Sequence, residues 1–289
     1  MPDQPLMARA DVIHEVHPPQ QIAVQKRLGS ATLLWNNGTL RKTVVLLCLA
    51  LLWEGYARWQ DNPLLFPTLT ETGLALFSGL MDGKIVMATW SSIKVLLQGY
   101  AAGMLFAALF TALASATRIG SDFLETLTAM FNPLPSIALL PLSMIWFGLG
   151  EGSIVFVLIH AVLWAVALNT HAGFRSVSPT WRMVGHNYGL SPVRYVLLIL
   201  IPGAFPSILT GMKIGWAFAW RTLIAAELVF GASSGQGGLG WYIFQHKNML
   251  DVPQVFAGLL TVILFGLLVE NLIFKTIEKR TVVRWGMQS

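Results

Sequence analysis

The chain has 289 residues, 55% of them hydrophobic and only 11% charged, with a mean hydropathy of +0.62. Soluble proteins carry about 25% charged residues, so a water-soluble globule of this length would lack the charge to cover its surface. The composition instead points to an all-α integral membrane protein with a bilayer as solvent. The net charge of +5 needs no nucleic-acid partner, because cytoplasmic loops collect Lys and Arg, and the single cysteine, Cys48, excludes a disulfide or cysteine metal site within one chain.

Residues 1–42 are polar, carry Pro2, Pro5, Pro18 and Pro19, and lack the apolar core and cleavage site of a signal peptide, so a cytoplasmic N-terminal tail is expected. Residues 43–87 read as a first transmembrane helix, Thr43 to Trp59, followed by an outer segment in which Leu69–Leu80 is too short to span and suits a helix lying at the interface. The core, 88–275, holds five further expected spans. They are Trp90–Ser115, Leu124–Phe147, Ile154–Thr170, Ile199–Phe230 and Val255–Phe274, which makes about six in all. Pro133, Pro135 and Pro141 should bend or break the third, as gating points or as static kinks. Gly99 and Gly103 in the second allow close helix approach, within the chain or to a second copy. Residues 276–289 form a C-terminal tail.

Placing both termini in the cytoplasm puts most of the 19 Lys and Arg inside. Arg9, Lys26, Arg27, Arg41 and Lys42 lie in the first tail, Arg118 after the second span, and Arg175, Arg182 and Arg194 in the 171–198 loop. Lys275, Lys279, Arg280 and Arg284 lie at the end. Five or seven spans would put one terminal cluster outside.

The 171–198 loop contains a short helix. Ser178 is a cap residue, Pro179 suits the first helical position, and Gly189 with Pro192 beyond it ends the helix. Trp181, Val184 and Tyr188 share one face. That stripe needs burial against a groove on a cytoplasmic partner, the bilayer or the chain's own spans.

Inside the spans, ionisable groups are functional candidates. In the fifth, at 100° per residue, Lys213, Trp216, Trp220 and Glu227 fall within about 60° of one another. Such a stripe avoids lipid and faces either a water-filled path or another helix. Arg221 flanks it, where a guanidinium would hold an anion by paired hydrogen bonds or pair with a carboxylate. His160, in the fourth span, is a packing residue or a proton relay, and no second His sits at metal-ligand spacing. No phosphate-binding loop and no catalytic constellation is present, so ATP, if it drives the protein, is hydrolysed on another chain.

Several segments together resemble one family. Met183-Val184-Gly185-His186-Asn187-Tyr188-Gly189, nine residues, then Ile199-Leu200-Ile201-Pro202 resembles the Glu-Ala-Ala loop of ABC importer permeases, although Met183-Val184-Gly185 replaces Glu-Ala-Ala. Pro133 to Leu142 with Trp146-Phe147-Gly148-Leu149-Gly150, Gly211-Met212-Lys213 with Trp220 to Glu227, and Gly237-Gly238-Leu239-Gly240 look like the nitrate/sulfonate/taurine branch. The resemblance implies a type I importer fold in a bacterial inner (plasma) membrane and a small anionic solute delivered by an extracytoplasmic solute-binding protein. It also implies a second permease copy and ATP with Mg on a partner ATPase. The ATPase-coupling helix would comprise Trp181, Arg182, Met183, Val184, Gly185, His186, Tyr188 and Gly189, with Pro202 after it. An ion-coupled secondary transporter is the alternative.

Overall fold

The computed structural model describes residues 36–230 and 237–286, and every regular element among them is helical. The tail expected over 1–42 lies almost wholly outside the described residues. The chain divides into two compact units, 1–51 and 52–289.

In the first unit, Asn37 Oδ1 accepts the Thr39 N–H (3.0 Å) at the start of helix α1, Gly38–Gln60. Leu46, Leu47, Leu49 and Leu51 are all more than half exposed, an apolar surface that asks for lipid rather than water.

In the second unit, Glu54 accepts from Arg58 and from the Thr70 hydroxyl, and Trp53 donates to the Pro67 carbonyl (3.0 Å). Trp53 also packs with Phe66 and Phe256. Helix α2, Leu69–Met81, begins with a reciprocal cap. The Thr68 hydroxyl takes the Glu71 N–H, and the Glu71 carboxylate takes the Thr68 N–H (2.8 Å).

Among the described residues, four helical runs are long and apolar enough to cross a membrane. They are α3, Lys84–Ala116; α6, Glu151–Ser176; Pro192–Val229, which takes in all but the last residue of α8, Ile201–Phe230; and Val252–Val283, which opens with α10, Val252–Leu268. A fifth is obtained if α4, Arg118–Phe131, is joined to the Ser136–Leu139 turn and α5, Leu140–Phe147, across an 88° bend. The bend falls at Asn132–Pro135. Pro141 lies in the first turn of α5, where its missing N–H breaks no helical bond, so it is not a kink point. The expected count of six therefore turns on α1, whose Arg41, Lys42, Glu54 and Arg58 leave only Thr43–Trp53 free of charge.

Helix α6 is the most enclosed span. Between membrane helices there is no hydrophobic driving force, so contact must come from close packing over small residues. A Cβ on Gly103 would lie 2.7 Å from the Val162 Cβ, and one on Gly99 would overlap Leu158, so both glycines serve packing within the chain. On the other flank of α6, a Cβ on Gly173 would lie 2.6 Å from the Ser207 Cβ of α8, and one on Gly211 2.8 Å from the Asn169 Cβ. Leu96, Val157, Leu158, Val162 and Leu223 fill the α3–α6–α8 core.

Before α8 the chain widens into a π turn, Val196–Leu200, directly ahead of Pro202, which lacks a backbone donor. At the other end, the last span does not stop at Phe274. It continues as helix to Val283, so much of the expected 276–289 tail is helical.

Candidate functional site

The polar stripe on α8 is spent on other helices. Lys213 Nζ lies 2.7 Å from Glu278 Oε2 on the extended last helix. Trp216 packs against Tyr100 and Phe274. Trp220 stacks obliquely on Phe265 and donates its indole N–H to the Val262 carbonyl (3.3 Å). Each of these side chains meets a neighbouring helix.

Glu227 has the most elaborate partners. The carboxylate is buried, and the Ser92 hydroxyl of α3 lies 2.7 and 2.8 Å from its two oxygens. The Gly240 N–H donates to Oε2 (2.8 Å), and the Leu239 N–H donates to the Ser92 hydroxyl oxygen (2.9 Å). These two amides open α9, Leu239–Asn248, so a carboxylate sits where the positive end of a helix dipole favours it. The glycine run follows from this: a Cβ on Gly238 would overlap the Glu227 carboxylate, and one on Gly240 would lie 2.6 Å from the Glu227 Cβ. Three elements thus meet at one carboxyl group.

Arg221 points elsewhere. It is exposed, its Nε donates to the Ala217 carbonyl one turn back (3.0 Å), and its guanidinium lies 5.2 Å from the Phe218 ring. No ion pair to Arg221 is found among the described residues. Arg221 lines a chamber of about 310 Å³ together with His160, Trp164, Phe218, Thr222 and the bend residues Asn132–Ile137. Pro133 and Pro135 therefore help wall the chamber as well as bending the chain. His160 Nδ1 lies 3.1 Å from the Ser136 hydroxyl. Two of the candidate path residues, Arg221 and His160, share this chamber; Lys213, Trp216, Trp220 and Glu227 do not line it. Trp164 and Ser136 were not singled out in the sequence. Trp164 stands four residues after His160 on the same helix face, a signal that was available.

The loop helix is α7, Pro179–Asn187. The Ser178 hydroxyl caps it by accepting the Trp181 N–H (3.5 Å). Gly189, with φ +62°, ends it, and the Gly189 and Leu190 N–H groups return to the His186 and Gly185 carbonyls (2.9 and 3.2 Å). Arg182 ties α7 to the end of α6, donating to the Val177 carbonyl (3.1 Å) and to that of Phe174. Gly185 is buried: a Cβ there would lie 2.7 Å from the Tyr195 ring, so a larger residue would push that ring aside. Trp181, Met183 and Tyr188 are 61%, 57% and 80% exposed, while Val184 is half-buried. The expected Trp181–Val184–Tyr188 stripe is thus uncovered at both ends and partly covered in the middle.

Near α9, the Tyr242 hydroxyl donates to Gln254 Oε1 (2.6 Å), and the Gln254 amide donates to Ser78 of α2 (3.2 Å). Burial, with Asp251 and Asp82 nearby, pushes the Tyr242 phenol up to about 12.

Residues 99–282 match the family model described as binding-protein-dependent transport system inner membrane component. The chain is 27% identical to the taurine transport system permease protein TauC of Escherichia coli over 259 residues, covering 86% of this chain and 93% of that protein. It is 23% identical to the nitrate import permease protein NrtB of Synechocystis, covering 86% and 92%. A putative ABC transporter permease protein of Methanocaldococcus jannaschii is 28% identical, covering 76% and 83%.

Proposed function

The chain belongs to the family of binding-protein-dependent transport system inner membrane components, and from that premise we propose that it is the multi-pass permease subunit of an ATP-driven importer in a bacterial inner membrane. Its solute is a small anion, as the relatives named for taurine and nitrate suggest. An extracytoplasmic binding protein delivers the solute, and a second copy of the chain completes the path. Helix α1 serves as a sixth span, with both termini in the cytoplasm, where the terminal Lys and Arg favour them. ATP and Mg are held by a separate ATPase subunit, and the chain itself performs no hydrolysis.

The observation that carries this reading is α7. It is a nine-residue helix, too short to be stable alone. It is tied to the end of α6 by Arg182 and held against Tyr195 through Gly185, while Trp181, Met183 and Tyr188 are left uncovered. A helix rigidly joined to a span and apolar on its free side suits insertion in a groove of a partner. Motion of the partner would reach α6 through the Arg182 hydrogen bonds, and α8 through Tyr195 and the π turn.

The test is purification of the tagged full chain from its native membrane in mild detergent, with quantification of any ATPase that accompanies it. Near-equal amounts for the parent chain, and loss of the ATPase on combining Trp181→Asp with Tyr188→Asp, are expected. Isolation of the chain alone, under conditions that keep a control transporter complex intact, would remove the importer reading and leave an ion-coupled transporter.

A further inference from the structure

We propose that the chamber bounded by Arg221, His160 and Trp164 is a binding site for a small organic oxyanion, with a sulfonate or carboxylate headgroup and a short apolar substituent. The inference rests on the permease reading for its physiological meaning, and on the chamber alone for its chemistry.

The first observation is the cation. Arg221 lies within a span, its Nε is used on its own helix, and no carboxylate among the described residues is paired with it. A guanidinium in that position presents its remaining N–H groups as a planar fork suited to two oxygens of one anion. Among the described residues no acidic side chain lines the chamber, so none of them competes with an anionic ligand or recommends a cationic one.

The second observation is independent of charge. The indole Nε1 of Trp164 and the imidazole Nε2 of His160 are both buried without a hydrogen-bond partner, although Trp164 is only 7% exposed. The Trp164 indole is a donor in every state, and in the tautomer in which the Ser136 hydroxyl donates to His160 Nδ1 the Nε2 carries the proton and is a donor as well. Buried donors without acceptors are costly, more so inside a membrane. Two on one helix face, both from residues that line the Arg221 chamber, make a set of N–H groups waiting for an acceptor-only ligand. An oxyanion is such a ligand.

The remaining wall supplies the size and the apolar part. The volume of about 310 Å³ equals roughly ten waters. Pro133, Pro135, Ile137 and Phe218 offer surface to a short hydrocarbon rather than to a hydrated ion.

The experiment reads the charge preference of the chamber directly. Thr222→Cys, and separately Ala225→Cys, place a thiol on the chamber wall in a Cys48→Ala background, since Cys48 is the sole native cysteine. The full chain in its native membrane is treated with sulfonatoethyl methanethiosulfonate, which is anionic, or trimethylammonioethyl methanethiosulfonate, which is cationic. With each rate divided by that reagent's rate with free 2-mercaptoethanol, labelling about tenfold faster with the anionic reagent is expected. The preference should vanish in Arg221→Gln and persist in Arg221→Lys. Ethanesulfonate should protect the thiol and tetraethylammonium should not. Trp164→Phe and His160→Phe should leave the charge preference intact but raise the half-protecting ethanesulfonate concentration about tenfold each. Equal labelling by the two reagents, or none at both positions, overturns the proposal, and nitrate protecting as well as ethanesulfonate overturns the role of the apolar wall. Labelling needs neither ATPase nor binding protein, so its failure leaves the permease reading standing, and failure of the co-purification leaves the anion site standing.

Discussion

Replacing Glu227 tests whether one buried carboxylate joins α3, α8 and the start of α9. It accepts from Ser92 and from the Gly240 N–H, while Ser92 accepts from the Leu239 N–H. Glu227→Ala strands two donors in a region closed to water, at about 1–3 kcal/mol each. The parent carboxylate also carries a desolvation penalty that the variant escapes, so a net loss of about 2–4 kcal/mol is expected. Ser92→Ala removes one donor to the carboxylate and strands the Leu239 amide, which costs a similar amount. In the double variant the hydroxyl and the carboxylate vanish together, and their shared bond is not lost twice. The double should therefore fall short of the sum by about 2 kcal/mol. At about 2–4 °C per kcal/mol, each single change lowers the midpoint by on the order of 10 °C. Glu227→Gln, which keeps one acceptor and misplaces one donor, should fall between Ala and the parent. The assay is the fraction of monodisperse full chain left after heating in detergent, measured by size-exclusion chromatography. Effects of Ser92→Ala and Glu227→Ala that add to within about 0.5 kcal/mol would refute the shared network.

Gly103→Val should separate α3 from α6 and abolish a monodisperse peak, because the first side-chain atom already lies 2.7 Å from the Val162 Cβ; Gly55→Ala, which meets nothing within 4 Å, is the control. Arg182→Ala removes two bonds to the end of α6 and should cost about 1–3 kcal/mol. It should also speed proteolysis between 176 and 190, read by limited digestion. Lys213→Glu places two carboxylates together with Glu278, a loss of about 1–3 kcal/mol for this partly buried pair. Adding Glu278→Lys should restore most of the thermal midpoint. Tyr242 is raised above its unfolded value of about 10, so the stability it contributes is present below that pH and lost as pH rises through about 12. Tyr242→Phe should flatten that alkaline loss in a pH series of thermal midpoints.

Local chemistry was legible wherever the sequence carries its own punctuation. Ser178, Pro179 and Gly189 bound α7 because capping and left-handed backbone are decided within a few residues. The short α2 follows from the length of its apolar run, and the break near Pro133 from missing donors. The third proline, Pro141, opens α5 instead of bending it, because a proline kinks an established helix but starts a new one, and position within the turn decides which. The end of the last span was set too early for a similar reason. Loss of hydrophobicity after Phe274 ends a membrane core, but it does not end a helix, and Lys213 waits for Glu278 one element away.

What one helix cannot announce is the identity of its neighbours. Periodicity sets Lys213, Trp216, Trp220 and Glu227 on one side of α8 and Arg221 to the flank, and that angular separation is correct at any tertiary arrangement. Whether the richer face meets water or protein depends on α3 and the last helix arriving there, and the cue for that lies outside α8. Ser92, far away in sequence, supplies the hydroxyl, and the glycines at 238 and 240 supply amides that only a side-chain-free backbone can bring so close. The glycine run and the intramembrane carboxylate are therefore two halves of one feature, each unexplained without the other. Once the stripe is consumed in this way, Arg221 becomes the more informative group. It shares a span with four polar or aromatic residues that found neighbours, yet no carboxylate among the described residues is paired with it, and it lines a chamber beside Trp164 Nε1 and His160 Nε2, both buried without a hydrogen-bond partner. The stripe face of α8 thus holds the bundle together through the Lys213–Glu278 pair, the Glu227 network and the packing of Trp216 and Trp220, while Arg221 on its flank lines the chamber instead.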